Sequence, residues 1–283
     1  MYAPYNSYIS PQYLKIMQPE MYEQELDYDI VGTKDTRLRI SKTTLAPYRY
    51  ICQLFLTMSN GGTFGGTAFF IGPKTLITAA HNIWDRPANS KLPNGSIIIS
   101  PGRDGEKFPF KPKFASFNPV NTIFSYPGFA AKDLLTSRDY AILHIEKTTG
   151  NETGFFGQDI TGIDKLGSSI LQGNLPLPIK KQDLNICGYP GDIDDKKGSR
   201  QYLSYNYGND FMDNGKIITY FNDTSGGMSG SPIWVKRSPD NGGRVIVGIH
   251  IDHGTQIKTG RSKFNRGVFI TDEVRKFMSD NMM

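Results

Sequence analysis

The stretch GGMSGSPIWV at residues 226–235 is a glycine-rich turn that leads directly into a short apolar segment. Similar segments, rich in Val, Ile, Phe and Tyr, recur along the chain between Gly, Pro and Asn turns. They include YICQLFL (50–56), TLITAAH (75–81), YAILHI (140–145), LNICGY (184–189) and VIVGIHI (245–251). Short strands with regularly spaced turn signals are typical of β-sandwiches and barrels. The stretch at 226–235 therefore belongs to a predicted all-β fold.

Bulk composition argues against several classes of protein. The 283 residues carry a net charge of +5, but their Lys and Arg are scattered, which is not the clustered pattern of a nucleic-acid binder. No stretch approaches the roughly 18 apolar residues that a membrane span needs. Neither nucleic acid nor a membrane is a predicted partner.

Cys52 and Cys187 lie in separate apolar segments and are predicted to be free and buried, with a disulfide as the less favoured alternative.

The chain divides into an extension and two halves. Residues 1–29 are polar and aromatic, end in an acidic run, and lack the basic start and apolar core of a signal peptide. We interpret them as an N-terminal extension or a pro-segment, and localisation stays open between the cytoplasm and an export route that the sequence does not show. A turn-rich connection at 147–175 separates the predicted halves, 30–150 and 151–283.

Three motifs carry residue types suited to nucleophilic catalysis, in the order His81, Asp139, Ser229. A serine hydroxyl becomes a nucleophile when an imidazole removes its proton, and a buried carboxylate holds that imidazole in the correct tautomer. Glycine lets a backbone N–H face a reacting oxygen without steric cost, so the N–H groups of Gly227 and Ser229 are the candidate oxyanion donors. We expect His81 to act as base, Asp139 as the orienting carboxylate and Ser229 as nucleophile.

Each of these residues has a plainer alternative. Ser229 could be a turn serine, His81 a structural histidine at a strand end, and Asp139 a partner of Arg138. The catalytic interpretation is favoured because the three motifs occur together. By contrast, His144 lies on the opposite strand face from Asp139, which predicts an exposed position.

These motifs resemble the trypsin-like serine proteases, and among them the glutamyl endopeptidases. The likeness extends from about residue 30 to the end of the chain. It continues in DIVGT (29–33), IGPKT (71–75), GNETGFFG (150–157), GYPGD (188–192) and GVFI (267–270).

The resemblance implies two six-stranded antiparallel barrels, the first carrying His81 and Asp139 and the second carrying Ser229. The residues themselves predict a C-terminal helix at 272–281, because Thr271 is a candidate N-cap and the apolar Val274, Phe277 and Met278 follow at helical spacing. It implies a serine endopeptidase that acts on proteins or peptides through an acyl-enzyme, without cofactor or metal. A non-catalytic binding module on the same fold is less favoured, since no member of the triad is missing. Members of the resembled family are usually secreted.

The resemblance leaves the preferred substrate open. In glutamyl endopeptidases a histidine after a Gly-Ile pair, and a Thr or Ser five residues before the nucleophile, bind the acidic side chain at P1, the residue before the scissile bond. His250 and Thr224 match those positions. Asp223 occupies the position at which trypsin carries the carboxylate that selects Arg or Lys, or it is a loop residue facing solvent. An acidic P1 preference is favoured over a basic one. Met228 occupies the position at which trypsin-like zymogens carry an aspartate that pairs with the newly cut N-terminal amine. A methionine cannot form that pair, so the resemblance does not extend to this activation mechanism.

Overall fold

The structure is a computed structural model of the chain. It describes residues 28–31, 33–93, 95–111, 113–114, 136–145, 149–156, 183–194, 198–236, 244–254, 256–257, 261–262 and 264–283. In chain order the strands are β1 (Tyr28–Asp29), β2 (Leu38–Arg39), β3 (Ile51–Thr57), β4 (Thr63–Phe70), β5 (Thr75–Thr78), β6 (Trp84–Asp85), β7 (Ser90–Lys91), β8 (Ile97–Pro101), β9 (Lys113–Phe114), β10 (Ala141–His144), β11 (Asp183–Gly188), β12 (Tyr202–Met212), β13 (Ile217–Tyr220), β14 (Thr224–Ser225), β15 (Pro232–Lys236), β16 (Arg244–His253), β17 (Gln256–Ile257), β18 (Arg261–Ser262) and β19 (Asn265–Phe269). The α-helices are α1 (Thr149–Thr153) and α2 (Asp272–Asp280), and 3₁₀ turns cover Tyr48–Tyr50 and Ala80–Ile83.

Two antiparallel sheets make up the body of the molecule. The first has six strands in the order β10-β5-β4-β3-β8-β9. The second runs β11-β15-β16-β19-β13-β12, and pairing between β11 and β12 closes these six strands into a barrel, with β2 added beside β12. The predicted all-β fold with two six-stranded antiparallel barrels is confirmed, with the second barrel closed and the described strands of the first forming a half-barrel.

The largest apolar core draws on both sheets. It includes Leu54 and Phe69 from the first sheet and Trp234 and Ile249 from the second, all nearly or fully buried. Phe156, in the GNETGFFG motif, packs edge-on against Phe69 at a ring-centroid distance of 5.6 Å and lies 5.9 Å from Trp234. Burying an aromatic or branched side chain of this size contributes about 1.5–3 kcal/mol. The core is thus continuous between the halves, and the boundary between 30–150 and 151–283 stays a prediction.

Helix α2 ends the chain as the sequence predicts. The Thr271 side chain caps it by accepting a hydrogen bond from Val274 N–H at 3.3 Å, and Phe277 packs edge-on against Tyr140 at 5.2 Å. The exposed position predicted for His144 is wrong. The residues after the helix cover that face of β10, and His144 is buried with its Nε2 at 2.8 Å from the Asn281 carbonyl oxygen.

Cys52 and Cys187 are both free and buried, as expected. Burial raises the pKa of both thiols. Among the described residues, no helix has the length and hydrophobicity required to cross a membrane. Residues 1–27 of the proposed extension lie outside the described ranges. Its last two residues form β1, which pairs with β14, and the pro-segment hypothesis stays a prediction.

Candidate active site

His81 and Asp139 meet at the edge where β5 and β10 pair. His81 lies in the 3₁₀ turn that follows β5, and Asp139 lies just before β10, whose Ala141 pairs with Thr78. One carboxylate oxygen of Asp139 accepts the His81 backbone N–H at 2.8 Å, and the other lies 2.6 Å from His81 Nδ1. Asp139 is fully buried. Because the carboxylate occupies Nδ1, the ring atom left for proton transfer is Nε2.

Ser229 follows a turn that the first sheet holds in place. Its carbonyl oxygen accepts hydrogen bonds from Thr67 N–H at 2.9 Å and from Asn82 Nδ2 at 2.8 Å. Asn82 follows His81 directly, so this contact brings the serine backbone beside the histidine. The Ser229 hydroxyl donates to the Ile251 carbonyl oxygen at 3.2 Å, and no hydrogen bond joins it to His81 in the described part of the chain. Catalytic hydrogen bonds of this kind commonly tighten only when substrate binds.

The peptide between Gly226 and Gly227 is oriented by the GYPGD motif. The Gly226 carbonyl oxygen accepts Gly191 N–H at 2.7 Å. In a trans peptide the N–H points away from the carbonyl, so Gly227 N–H faces the opposite side. Neither Gly227 N–H nor Ser229 N–H donates to an acceptor among the described residues. Gly227 has a φ of +93°, and a Cβ there would lie 2.5 Å from the Tyr189 carbonyl oxygen, so only glycine fits.

His250 is a buried histidine with one ring nitrogen bound and the other open. Its Nδ1 lies 2.5 Å from the Tyr220 hydroxyl and 3.2 Å from the Arg266 carbonyl oxygen, whereas its Nε2 has no partner among the described residues. Burial lowers the pKa of His250 from 6.5 to about 3, so the free ring is neutral at neutral pH. The buried Thr224 hydroxyl also has no partner there. Buried polar atoms are usually satisfied, so both atoms indicate a polar ligand or water.

Asp223 is buried and bound to the N-terminal segment. One carboxylate oxygen accepts Val31 N–H at 2.8 Å, and the other accepts Thr36 N–H at 2.8 Å and the Thr36 hydroxyl at 2.5 Å. Only 1% of Asp223 is exposed, so the interpretation as a solvent-facing loop residue is wrong. These donors occupy both of its carboxylate oxygens.

A buried ion pair, between Arg37 and Asp192, reinforces this contact. The Arg37 guanidinium, whose side chain is 1% exposed, binds both carboxylate oxygens of Asp192 and donates to the Ser225 hydroxyl at 2.7 Å. It also pairs with Asp35 at 2.8 Å. Ser225 follows Thr224 directly, so Val31 and residues 35–37 support the same short strand that carries Thr224, the residue predicted to bind the P1 side chain.

Comparison with known proteins supports the interpretation of the motifs. No family model matches the chain. A glutamyl endopeptidase of Bacillus licheniformis is 30% identical over 248 residues, which cover 87% of this chain and 66% of that protein. The solved structure of a Glu endopeptidase in complex with MPD matches at a TM-score of 0.63 with 20% identity, over 89% of this chain and 98% of that one. The chain belongs to the glutamyl endopeptidase branch of the trypsin-like serine proteases.

A second sequence relative of this chain is named as a metalloprotease. The extracellular metalloprotease of Bacillus subtilis is 28% identical over 253 residues, covering 87% of this chain and 67% of that protein. The chain thus spans about two thirds of the length of both sequence relatives. Within the described ranges, no three His, Cys, Asp or Glu side chains are grouped as a metal site requires.

Neither the comparisons nor the geometry favours the basic P1 preference that Asp223 left open, because donors from Val31 and Thr36 occupy its carboxylate. The sequence did not predict three side chains that contact the site residues or their neighbours. These are Asn82, which binds the Ser229 carbonyl, Tyr220, which binds His250, and Arg37, which binds Ser225. Asn82 had a local signal, since it is a polar amide between His81 and the apolar Ile83.

Proposed function

We propose that this chain is a serine endopeptidase with Ser229 as nucleophile, His81 as general base and Asp139 as the carboxylate that orients the base. One observation carries the proposal. The His81 ring is bound to a buried carboxylate beside a nucleophile turn whose Gly227 and Ser229 N–H groups have no described acceptor. This arrangement supports the proposal, because acyl transfer requires a base, a nucleophile and oxyanion donors close together.

The proposed reaction has an acylation stage and a deacylation stage. His81 Nε2 takes the proton of Ser229 Oγ as Oγ attacks the substrate carbonyl carbon. The oxygen of that carbonyl becomes an oxyanion and accepts hydrogen bonds from Gly227 N–H and Ser229 N–H. The imidazolium then gives its proton to the leaving amine, and an acyl-enzyme remains. Water, activated by the same His81, attacks the acyl-enzyme and releases the carboxylic acid product.

The proposed substrate has an acidic P1 residue. His250 Nε2 and Thr224 Oγ1 are buried and lack described partners, and the two residues flank the nucleophile turn in the sequence. His250 is tied to that turn by its own N–H, which donates to the Ser231 carbonyl at 2.9 Å. A glutamate side chain would give both atoms a partner, and its negative charge would favour the protonated form of His250. The glutamyl endopeptidase relative has the same implied preference in its name.

The test combines labelling with substrate profiling. A fluorophosphonate should modify the protein at Ser229, and Ser229→Ala should abolish both labelling and peptide cleavage. A peptide library varied at P1 should show cleavage after Glu in preference to Gln and Lys, and His250→Gln should reduce the Glu preference. Labelling at another residue, or full cleavage by Ser229→Ala, would refute the catalytic assignment. A Lys preference would refute only the assignment of P1.

A further inference from the structure

Asn82 links the histidine turn to the nucleophile turn. Its amide nitrogen donates to the Ser229 carbonyl oxygen at 2.8 Å and to the Thr78 hydroxyl at 2.9 Å. The side chain is buried, with 5% of the residue exposed. Asn82 therefore contacts the backbone of the proposed nucleophile while its own backbone continues from the proposed base, His81.

The nucleophile turn is bound to the first sheet at two residues. The Ser229 carbonyl receives both Asn82 Nδ2 and Thr67 N–H, and the Thr67 hydroxyl donates to the Gly227 carbonyl at 2.8 Å. Thr78 Oγ1, which accepts from Asn82, itself donates to the Thr67 carbonyl at 2.7 Å. These bonds form one connected set, which we name the turn latch (Thr67, Thr78, Asn82 and the carbonyls of Gly227 and Ser229).

Asn82 is the member of the turn latch that is adjacent to His81 in the chain. Both residues lie in the same short 3₁₀ turn, so a displacement of that turn moves the imidazole and the amide together. The site leaves little room around the amide, because a Cβ on Gly66 would lie 3.0 Å from the Asn82 amide atoms. Interiors are close-packed, so the amide is confined to one position.

We propose that Asn82 is a positioning residue that fixes Ser229 relative to His81. The proposal depends on the catalytic roles given above to Ser229 and His81. Asn82 has no described contact with Thr224 or His250, so its loss should affect the acylation step and leave P1 binding intact. A misplacement of about 1 Å can cost on the order of 100-fold in rate, which sets the expected size of the effect.

Two deletions of a buried amide separate positioning from stability. Asn82→Ala should lower kcat by about 100-fold, with KM within about two-fold of the parent. The matched control is Gln201→Ala. Gln201 is fully buried and lies away from Ser229, with its side-chain nitrogen donating to the Tyr48 carbonyl at 2.9 Å, the Ile51 carbonyl at 3.2 Å and the Tyr189 hydroxyl at 2.8 Å. It should lower Tm and leave kcat unchanged. Active sites are counted by fluorophosphonate titration, so unfolded molecules do not enter kcat.

A second variant moves the amide without removing it. Gly66→Ala adds a methyl group 3.0 Å from the Asn82 amide and should also lower kcat. In an Asn82→Ala background the three atoms nearest to that methyl group are absent, so Gly66→Ala should cause no further loss there. This non-additivity is specific to a contact between the two positions.

The outcomes distinguish this proposal from the one on which it rests. A low kcat for Asn82→Ala and Gly66→Ala, with non-additivity and an unchanged Gln201→Ala, supports positioning. Equal kcat for Asn82→Ala and the parent overturns it, as does a kcat loss of the same size in Gln201→Ala. If Asn82→Ala does not fold, an unchanged kcat for Gly66→Ala overturns it. Full cleavage by Ser229→Ala would instead remove the catalytic assignment itself.

Discussion

Replacing Asp223 with asparagine tests whether this carboxylate supports the N-terminal segment or selects substrate. In the parent, the two carboxylate oxygens accept hydrogen bonds from Val31 N–H, Thr36 N–H and the Thr36 hydroxyl. Asparagine retains one acceptor oxygen but presents an NH₂ group in place of the other. One backbone N–H of segment 31–36 then faces a donor and loses its acceptor.

The Asp223→Asn variant should have a lower free energy of unfolding than the parent. A buried N–H without an acceptor costs about 1–3 kcal/mol. A chain of this size loses roughly 2–4 °C of Tm per kcal/mol, so Asp223→Asn should lower Tm by about 2–12 °C. Thr36→Val is the matched control. It removes the hydroxyl donor and leaves both backbone N–H groups bound to Asp223, so its Tm should fall less.

The assay pairs thermal unfolding with kcat/KM on three peptides that differ only in having Glu, Gln or Lys at P1. Because the Asp223 carboxylate faces donors from segment 31–36, the Asp223→Asn variant should keep the parent's ratio of Glu to Lys cleavage within about three-fold, on the scale of ~0.6 kcal/mol. An unchanged Tm combined with the loss of Lys cleavage would refute the reasoning. That result would make Asp223 a substrate-selecting carboxylate after all.

Two further predictions concern the proposed P1 and oxyanion groups. Burial lowers the pKa of His250 from 6.5 in the unfolded chain to about 3 in the folded protein. Between these two values the unfolded chain binds more protons than the folded protein. The free energy of unfolding therefore falls as the pH decreases through that window. Urea unfolding from pH 7 to 4 should therefore show the parent losing up to about 1.4 kcal/mol per pH unit relative to His250→Gln, and parallel curves would contradict the assignment. Gly227→Ala should lower kcat by about 10²–10³-fold, because its Cβ would lie 2.5 Å from the Tyr189 carbonyl and displace the oxyanion peptide. Gly65→Ala, whose Cβ meets nothing within 4 Å, is the control, and equal kcat values for the two variants would exclude this role.

Much of the site was predictable because its motifs are local. The glycine turn at 226–230, the histidine after β5 and the aspartate before β10 each combine a residue type with a strand end, which a few neighbouring residues specify. The helix cap at Thr271 is local in the same way, and its predicted helix is confirmed. The roles of His81, Asp139 and Ser229 stay predictions until Ser229 is tested.

Other features depended on contacts between distant parts of the chain. Asp223 is 192 residues from Val31, and Asn82 is 147 residues from Ser229. The partner of His144 is 137 residues away, at the C-terminus. Alternation along β10 describes only which face His144 is on, and the burial of that face depends on where the end of the chain packs.

The sequence by itself determined the fold class and predicted the triad His81, Asp139 and Ser229, because turn chemistry and strand alternation act over a few neighbouring residues. Only the tertiary structure decided that Asp223 binds segment 31–36, that His250 has an open Nε2, and that Asn82 holds the Ser229 carbonyl. These outcomes follow from the packing of segments that are distant from one another in the sequence. A buried donor or acceptor takes whichever partner that packing brings within reach, and local sequence does not specify that partner.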